Sequence, residues 1–422
     1  MRRWICTCFI LLVILIPTGG GFSAPQDSPL LSAETILAEM SPEEKVGQLF
    51  LVTFDGNSIP LRDSILEMIT NHHIAGVLLR VEDNNFQAAP DTLSTTKDLI
   101  DALQDAAYTA SVGVGEEGDD PSSTYVPLLI AIAQEGGGLQ FAEILTGMTE
   151  LPSEMAIGAT WDMELAKGVG EVLGRELEAL GFNLLFGPSL DVLEDPRLAG
   201  PGDLGIRSFG GDPFWVSELG KSYIAGLHEG SAGRLAVIVK HFPGLGSADR
   251  SIEEEVATVR KSLEQLKQIE LAPFFAVTQM IPGEQAEIAD GFLTSHIRYQ
   301  GLQGNIRDTT RPVSMDPQAH DLLMSLEPIA TWREGGGITV SDSLGSRAVR
   351  RFRDPLERTF FAHHVARDAF LAGNDLLLLT DVKNPDDPDE LTTIVSILNF
   401  FAQKYRDDSA FAQRIDQAVE RI

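Results

Sequence analysis

Apolar residues fall in short blocks, and between the blocks they recur at three- and four-residue intervals. Blocks of strand length lie at 49–54, 76–79, 128–133, 184–186, 236–239, 291–294, 337–340 and 375–379. Several are apolar throughout rather than alternating, as in parallel strands covered on both faces. Helical spacing fills the gaps. Residues 98–107 place Leu99, Leu103 and Ala106 on one face, and 261–269 place Leu263, Leu266 and Ile269 likewise. Ser41-Pro42-Glu43-Glu44 has the form of a capping box with proline at the first helical position. Strands alternating with helices predict an α/β fold, a TIM-type (β/α)8 barrel; periodicity alone leaves a doubly wound open sheet as the rival. The tail, 391–422, has the pattern of helices that cap the fold, and no internal repeat is visible.

Composition changes this picture at the N-terminus. Arg2 and Arg3 precede an apolar run from 5 to 16, then Pro17, three glycines and Phe22-Ser23-Ala24. This is the pattern of a secretory leader, too short for the ~20 residues of a membrane span. The expectation is a leader over 1–24 and one exported domain over 25–422, extracellular or in the cell envelope, with no membrane span; an uncleaved anchor is the alternative. The two cysteines, Cys6 and Cys8, lie inside that segment, so the mature chain would have no disulfide and no thiol nucleophile. Acidic residues outnumber basic ones by 62 to 32, for a net charge of −30, which argues against nucleic acid and anionic membranes as partners. The connections at 109–123 and 197–212 are long and glycine-rich, and long loops in a compact domain often carry function.

Candidate chemistry sits where the strand blocks end. Glu135 follows the third block, Lys240 and His241 the fifth, Ser295 and His296 the sixth, and Asp342 the seventh; Arg207 lies in the long connection after the fourth. In a barrel these ends converge on one mouth. A carboxylate there can attack an anomeric carbon and form a covalent glycosyl-enzyme, while cationic neighbours hold sugar hydroxyls. Each residue alone has a plainer reading: Asp342 as a helix cap, Lys240 and His241 as partners of a nearby carboxylate, His296 as a structural hydrogen-bonding group.

Three segments in order sharpen the reading: RSFGGDP at 207–213, KHFPG at 240–244 with Gly246, and a segment ending in Ser341-Asp342. Together with 186–192 (FGPSLDV) and 371–375 (LAGND), they resemble the catalytic domain of glycoside hydrolase family 3, nearest its bacterial β-N-acetylhexosaminidases. The resemblance implies a barrel, retention at the anomeric carbon, no metal or organic cofactor, and a carbohydrate substrate. It places the nucleophile on Asp342 and sugar-binding groups on Lys240, His241 and Arg207; Glu135 and His296 are candidate substrate-binding residues from their place at strand ends. Three departures stand out. The family's Asp-x-His acid segment falls on Ser251 and Glu253; its aspartate and arginine at the third strand fall on Ala133 and Gly138; the second histidine of its KHFPGHG falls on Leu245. Glu253 is therefore the candidate replacement acid, its pKa raised by the run Glu253-Glu254-Glu255; the competing reading makes these first-turn acids of a helix. The functional expectation is a retaining β-glycosidase, with N-acetylglucosaminides as the candidate substrates, and the alternative is a catalytically impaired carbohydrate-binding protein.

Overall fold

A strand that is apolar throughout has two faces to bury, and the barrel supplies a surface for each. The computed structural model describes residues 32–87, 90–112, 125–138, 144, 146–194, 204–252, 254–356 and 358–422. The expected leader, 1–24, and Glu253 lie outside the described residues.

The barrel strands are β1 Phe50–Val52, β2 Gly76–Leu78, β3 Leu129–Ile132, β4 Leu184–Ser189, β5 Ala236–Phe242, β6 Gly291–Thr294, β7 Ile338–Ser341 and β8 Leu377–Leu379. Each expected block coincides with one of them, and β4, β5 and β7 run past the ends of their blocks. All neighbouring pairs are parallel, in the order β8-β1-β2-β3-β4-β5-β6-β7. The ends of this order meet at one bridge, Val340 to Leu376, which excludes the open sheet. Ser341 N–H donates to Leu376 O (2.9 Å), and the Ser341 hydroxyl accepts from Leu378 N–H (3.1 Å) where a carbonyl would otherwise serve. Leu51, Leu78, Ala131, Phe186, Ile238 and Val340 point into the barrel and pack together. Their alternates, such as Phe50, Val77, Leu185 and Val239, pack outward against the helices.

The capping box at Ser41 forms: Ser41 Oγ accepts from Glu44 N–H, and Glu44 Oε2 accepts from Ser41 N–H at 2.7 Å. The helix expected at 98–107 runs over Thr92–Val112, so residues 109–112 are helical rather than the start of a loop. That expected at 261–269 is Leu263–Gln268. Helices Met163–Leu180 and Pro213–Gly230 approach unusually closely, because a Cβ on Gly170 would lie 2.2 Å from Tyr223 O and one on Gly226 2.0 Å from Lys167 O. Both begin at the barrel mouth. At the opposite end, the tail forms helices Glu390–Asp407 and Ser409–Arg421. Asp375, buried at the foot of β8, gathers Arg333 (2.8 Å), Arg414 (3.1 Å) and Arg421 (3.6 Å) there. No helix among the described residues is long and apolar enough to cross a membrane.

Candidate active site

β5 runs three residues further toward the mouth than its apolar block, and those residues are Lys240, His241 and Phe242. All three are buried. Lys240 Nζ lies 2.6 Å from Glu135 Oε1, and Arg207 reaches the other oxygen of Glu135 at 3.9 Å. Burial alone would raise the Glu135 carboxyl, but Lys240 and then Arg207 hold it below its usual range. His241 Nδ1 is 2.7 Å from Asp191 Oδ2, an arrangement in which Nδ1–H donates and Nε2 is left for a ligand. Asp191 is fully buried and also accepts from Ser189 Oγ–H (2.8 Å) and Leu245 N–H (2.7 Å). Burial would lift its pKa; the histidine and these donors bring it below the usual carboxylate value.

The segment 207–213 shows why a motif of this composition is needed. Arg207 turns inward to Glu135, and Ser208 Oγ–H donates to Asp191 O at 2.7 Å. Phe209 is buried edge-on against Tyr223 with centroids 5.8 Å apart. Gly211 passes so near the chain that a Cβ would lie 2.6 Å from Leu193 O. Asp212 then caps helix Pro213–Gly230, accepting from Phe214 and Trp215 N–H.

Asp342 follows β7. Its N–H donates to Thr294 O (3.2 Å), and its Oδ1 accepts from Ser343 N–H (2.7 Å). His296 stands behind this turn. Its Nε2–H donates to Ser343 O (2.9 Å), which leaves Nδ1 to accept from Ser314 Oγ–H (2.7 Å). Burial lowers the His296 pKa, so it is a neutral imidazole with both nitrogens engaged by protein. Its hydrogen bonds are thus those of a group that positions the Asp342 turn.

Asp342, Arg207, Lys240, His241 and His296 line one cavity of about 380 Å³ at the mouth. Arg80, Thr380 and Asp381 contribute from the ends of β2 and β8, and Phe186, Leu245, Ile252 and Leu293 give an apolar wall. Arg80 is paired to Glu82 (2.6 Å), Asp83 (2.5 Å) and Asp381 (3.6 Å). Glu135 is not among the groups lining this cavity; it holds Lys240 and Arg207 from behind. Among the described residues, no cluster of three or more His, Cys, Asp or Glu side chains is arranged to hold a metal ion.

The loop after β5 departs from the helix-start reading. Glu254 and Glu255 lie in a turn, and the next helix begins only at Leu263. Both are engaged: Glu254 pairs with Arg347 at 2.8 Å, and Glu255 pairs with Arg250 at 2.7 Å and Arg351 at 3.6 Å.

Asp191, Glu154 and Arg80 were not singled out as site residues from the sequence. Asp191 stands inside 186–192, where its spacing from β4 is visible but its pairing with His241 is not. Glu154 follows Ser153, a helix cap, and reads as an ordinary first-turn acid. In the fold it is buried beside Glu135; Oε1 accepts from Ser189 N–H (2.9 Å), and Oε2 has no hydrogen-bond partner among the described residues. Burial first, and the charge of Glu135 second, raise its pKa well above the ordinary value of 4.5.

The order of these segments along a parallel barrel is matched by a known family: the glycosyl hydrolase family 3 N terminal domain corresponds to residues 41–422. The chain belongs to glycosyl hydrolase family 3. Beta-hexosaminidase A of Pseudoalteromonas piscicida is 29% identical over 329 residues, covering 76% of this chain and 48% of that protein. The beta-N-acetylglucosaminidase/beta-glucosidase of Cellulomonas fimi is 28% identical over 411 residues, 96% of this chain and 60% of that one. The solved family 3 beta-N-acetylglucosaminidase from Paenibacillus sp. str. FPU-7 superposes with a TM-score of 0.70 at 27% identity, covering 90% of this chain and 61% of that one. The chain thus spans about half to three-fifths of the length of these relatives. Against the family 3 pattern, Ala133 and Leu245 line the cavity with apolar groups where carboxylate and imidazole are expected. Gly138 stands exposed, with open space where its side chain would be.

Proposed function

We propose that the chain is a retaining β-glycosidase in which Asp342 attacks the anomeric carbon. The observation that carries this is the shared cavity: an aspartate at the end of β7 opens onto the same space as Lys240, His241 and Arg207. Each of these three side chains is held by a buried carboxylate, so they are fixed before a sugar arrives and lose little freedom on binding it. Lys240 and Arg207 donate to sugar hydroxyls, and His241 Nε2 faces a third. The hexosaminidase names among the relatives support an N-acetylhexosaminide as substrate, and the apolar wall of Phe186, Leu245, Ile252 and Leu293 suits a methyl-bearing group.

Asp342→Asn keeps the shape and removes the attacking charge. Turnover of aryl β-glycosides is expected to fall by about 10³-fold or more, with the fold intact by circular dichroism. NMR of the first-formed anomer reports stereochemistry. Unchanged turnover in D342N, or an inverted product, would sink the assignment.

Glu253 is proposed as the acid that protonates the leaving oxygen. Glu253→Gln is then expected to slow glycosides with poor leaving groups severely and activated aryl glycosides only slightly. Equal slowing of both classes removes Glu253 from that role. The engagement of Glu254 and Glu255 by arginines favours a second reading, a sugar-binding protein without turnover. That reading predicts binding of N-acetylhexosaminides by calorimetry with no product from any aryl glycoside.

A further inference from the structure

One step along the chain from Arg207, the surface changes character. Arg207 turns into the cavity, while Ile206 turns out and is 40% exposed. At the same end of the barrel stand Trp161 and Phe214, 56% and 62% exposed, both packed edge-on against Trp215 with centroids 4.9 and 5.4 Å apart. The link is direct: Ile206 O accepts from Met155 N–H (3.1 Å) in the short helix Glu154–Gly158 that leads to Trp161. Trp161 and Phe214 stand at the mouth ends of the two helices that glycines bring into close approach. The rings are therefore carried on a closely packed helix pair at the mouth end of the barrel.

Trp161 is held at φ 57°, a left-handed conformation that is rare for a bulky residue. Its place just beyond a helix end is one that glycine ordinarily fills without strain. A strained backbone that presents a large apolar ring to water needs a reason outside folding. The flanking charges indicate the kind of ligand. Asp162, Glu164 and Asp212 are exposed around the rings. With the chain's net charge of −30, they repel an anionic membrane or an acidic peptide. They are also good acceptors for hydroxyl groups: Asp162 and Asp212 each use Oδ1 for their helix caps, so Oδ2 is left to accept. Apolar ring faces bordered by carboxylate acceptors match an uncharged sugar, which has an apolar C–H face and a rim of hydroxyls.

We propose that Trp161, Phe214 and Trp215 form a distal sugar-binding platform that holds a remote unit of an extended, uncharged β-linked glycan whose end occupies the Asp342 cavity. The inference rests on the glycosidase reading for the cavity but is measured separately. In a D342N background, so that ligand is not consumed, a chitin hexasaccharide is titrated by tryptophan fluorescence. Trp161→Gly and Phe214→Ala are each expected to weaken binding about tenfold. Turnover of a monosaccharide aryl glycoside by the same two variants, made in the otherwise native chain, should be unchanged.

The thermal midpoint separates a binding role from a structural one. Because glycine relieves the backbone at position 161, W161G should melt no lower than its parent. Equal hexasaccharide affinity in parent and variants would overturn the proposal, as would a parent that binds no hexasaccharide. A dimeric parent that W161G renders monomeric would also overturn it, since the rings would then face a second copy. Failure of the chain with Asp342 intact to turn over any glycoside would reject the catalytic reading while the titration still reports on the platform.

Discussion

Glu154 has one oxygen bonded to Ser189 N–H and the other buried beside a carboxylate that two cations already claim. Its pKa in the folded chain stands above the unfolded value of 4.5, so the native state grips this proton more firmly than the unfolded one. The resulting stability is fully present below pH 4.5 and is lost as pH rises toward the folded pKa. Glu154→Gln, neutral at every pH, escapes that loss. Its stability relative to the native chain is expected to grow with pH above this point, by at most about 1.4 kcal/mol per pH unit. Urea unfolding of both proteins at several pH values checks this, and a difference independent of pH would contradict it. The same residue marks the limit of what the sequence discloses. Lys240, His241 and Asp342 are legible because barrel topology brings strand ends together whatever the side chains are. The roles of Glu154, Asp191 and Arg80 depend on burial and on partners 35 to 301 residues away, as in Glu154–Ser189 and Arg80–Asp381. Local pattern carries no record of either.

At the scale of elements, all eight strands were legible, because a strand buried on both faces leaves an apolar block too dense to miss. Helix ends were less so. The helix Thr92–Val112 outruns its apolar stripe, since its last turns hold Ala106, Tyr108 and Ala110 half in solvent and offer no periodic signal. The tail shows how much a single element can contribute. Helix Ser409–Arg421 docks through Phe411, whose ring meets Phe370 and Phe401 at 5.2 and 5.3 Å. It also carries Arg414 and Arg421 to Asp375. Phe411→Ala is expected to lower the free energy of unfolding by about 3 kcal/mol, the transfer cost of the ring plus that of the cavity left in a well-packed cluster. A loss under about 1 kcal/mol in denaturant titration would mean the helix is held by its arginines instead.

For the molecule as a whole, the net charge of −30 is the dominant long-range term. Self-repulsion of that size favours expansion, while the ion pairs at the mouth and at Asp375 oppose it locally. Salt acts on the two unequally. Raising ionic strength from about 0.01 M to about 0.15 M shortens the screening length from about 30 Å to about 8 Å, which weakens distant repulsion far more than contacts under 4 Å. The melting temperature is therefore expected to rise across this range in scanning calorimetry. A fall would show that surface ion pairs outweigh repulsion. Salt should leave the KM for an uncharged glycoside unchanged over the same interval.

The barrel's closure has a mechanical meaning. Seven of its joints are paired ladders, whereas β7 and β8 share one bridge, extended by backbone hydrogen bonds such as Asp375 N–H to Thr339 O and Leu344 N–H to Leu378 O and by the Ser341 hydroxyl. Closure of the hoop therefore rests on hydrogen bonds of mixed kind at this one joint, with Asp342 on one lip of it and Asp381 on the other.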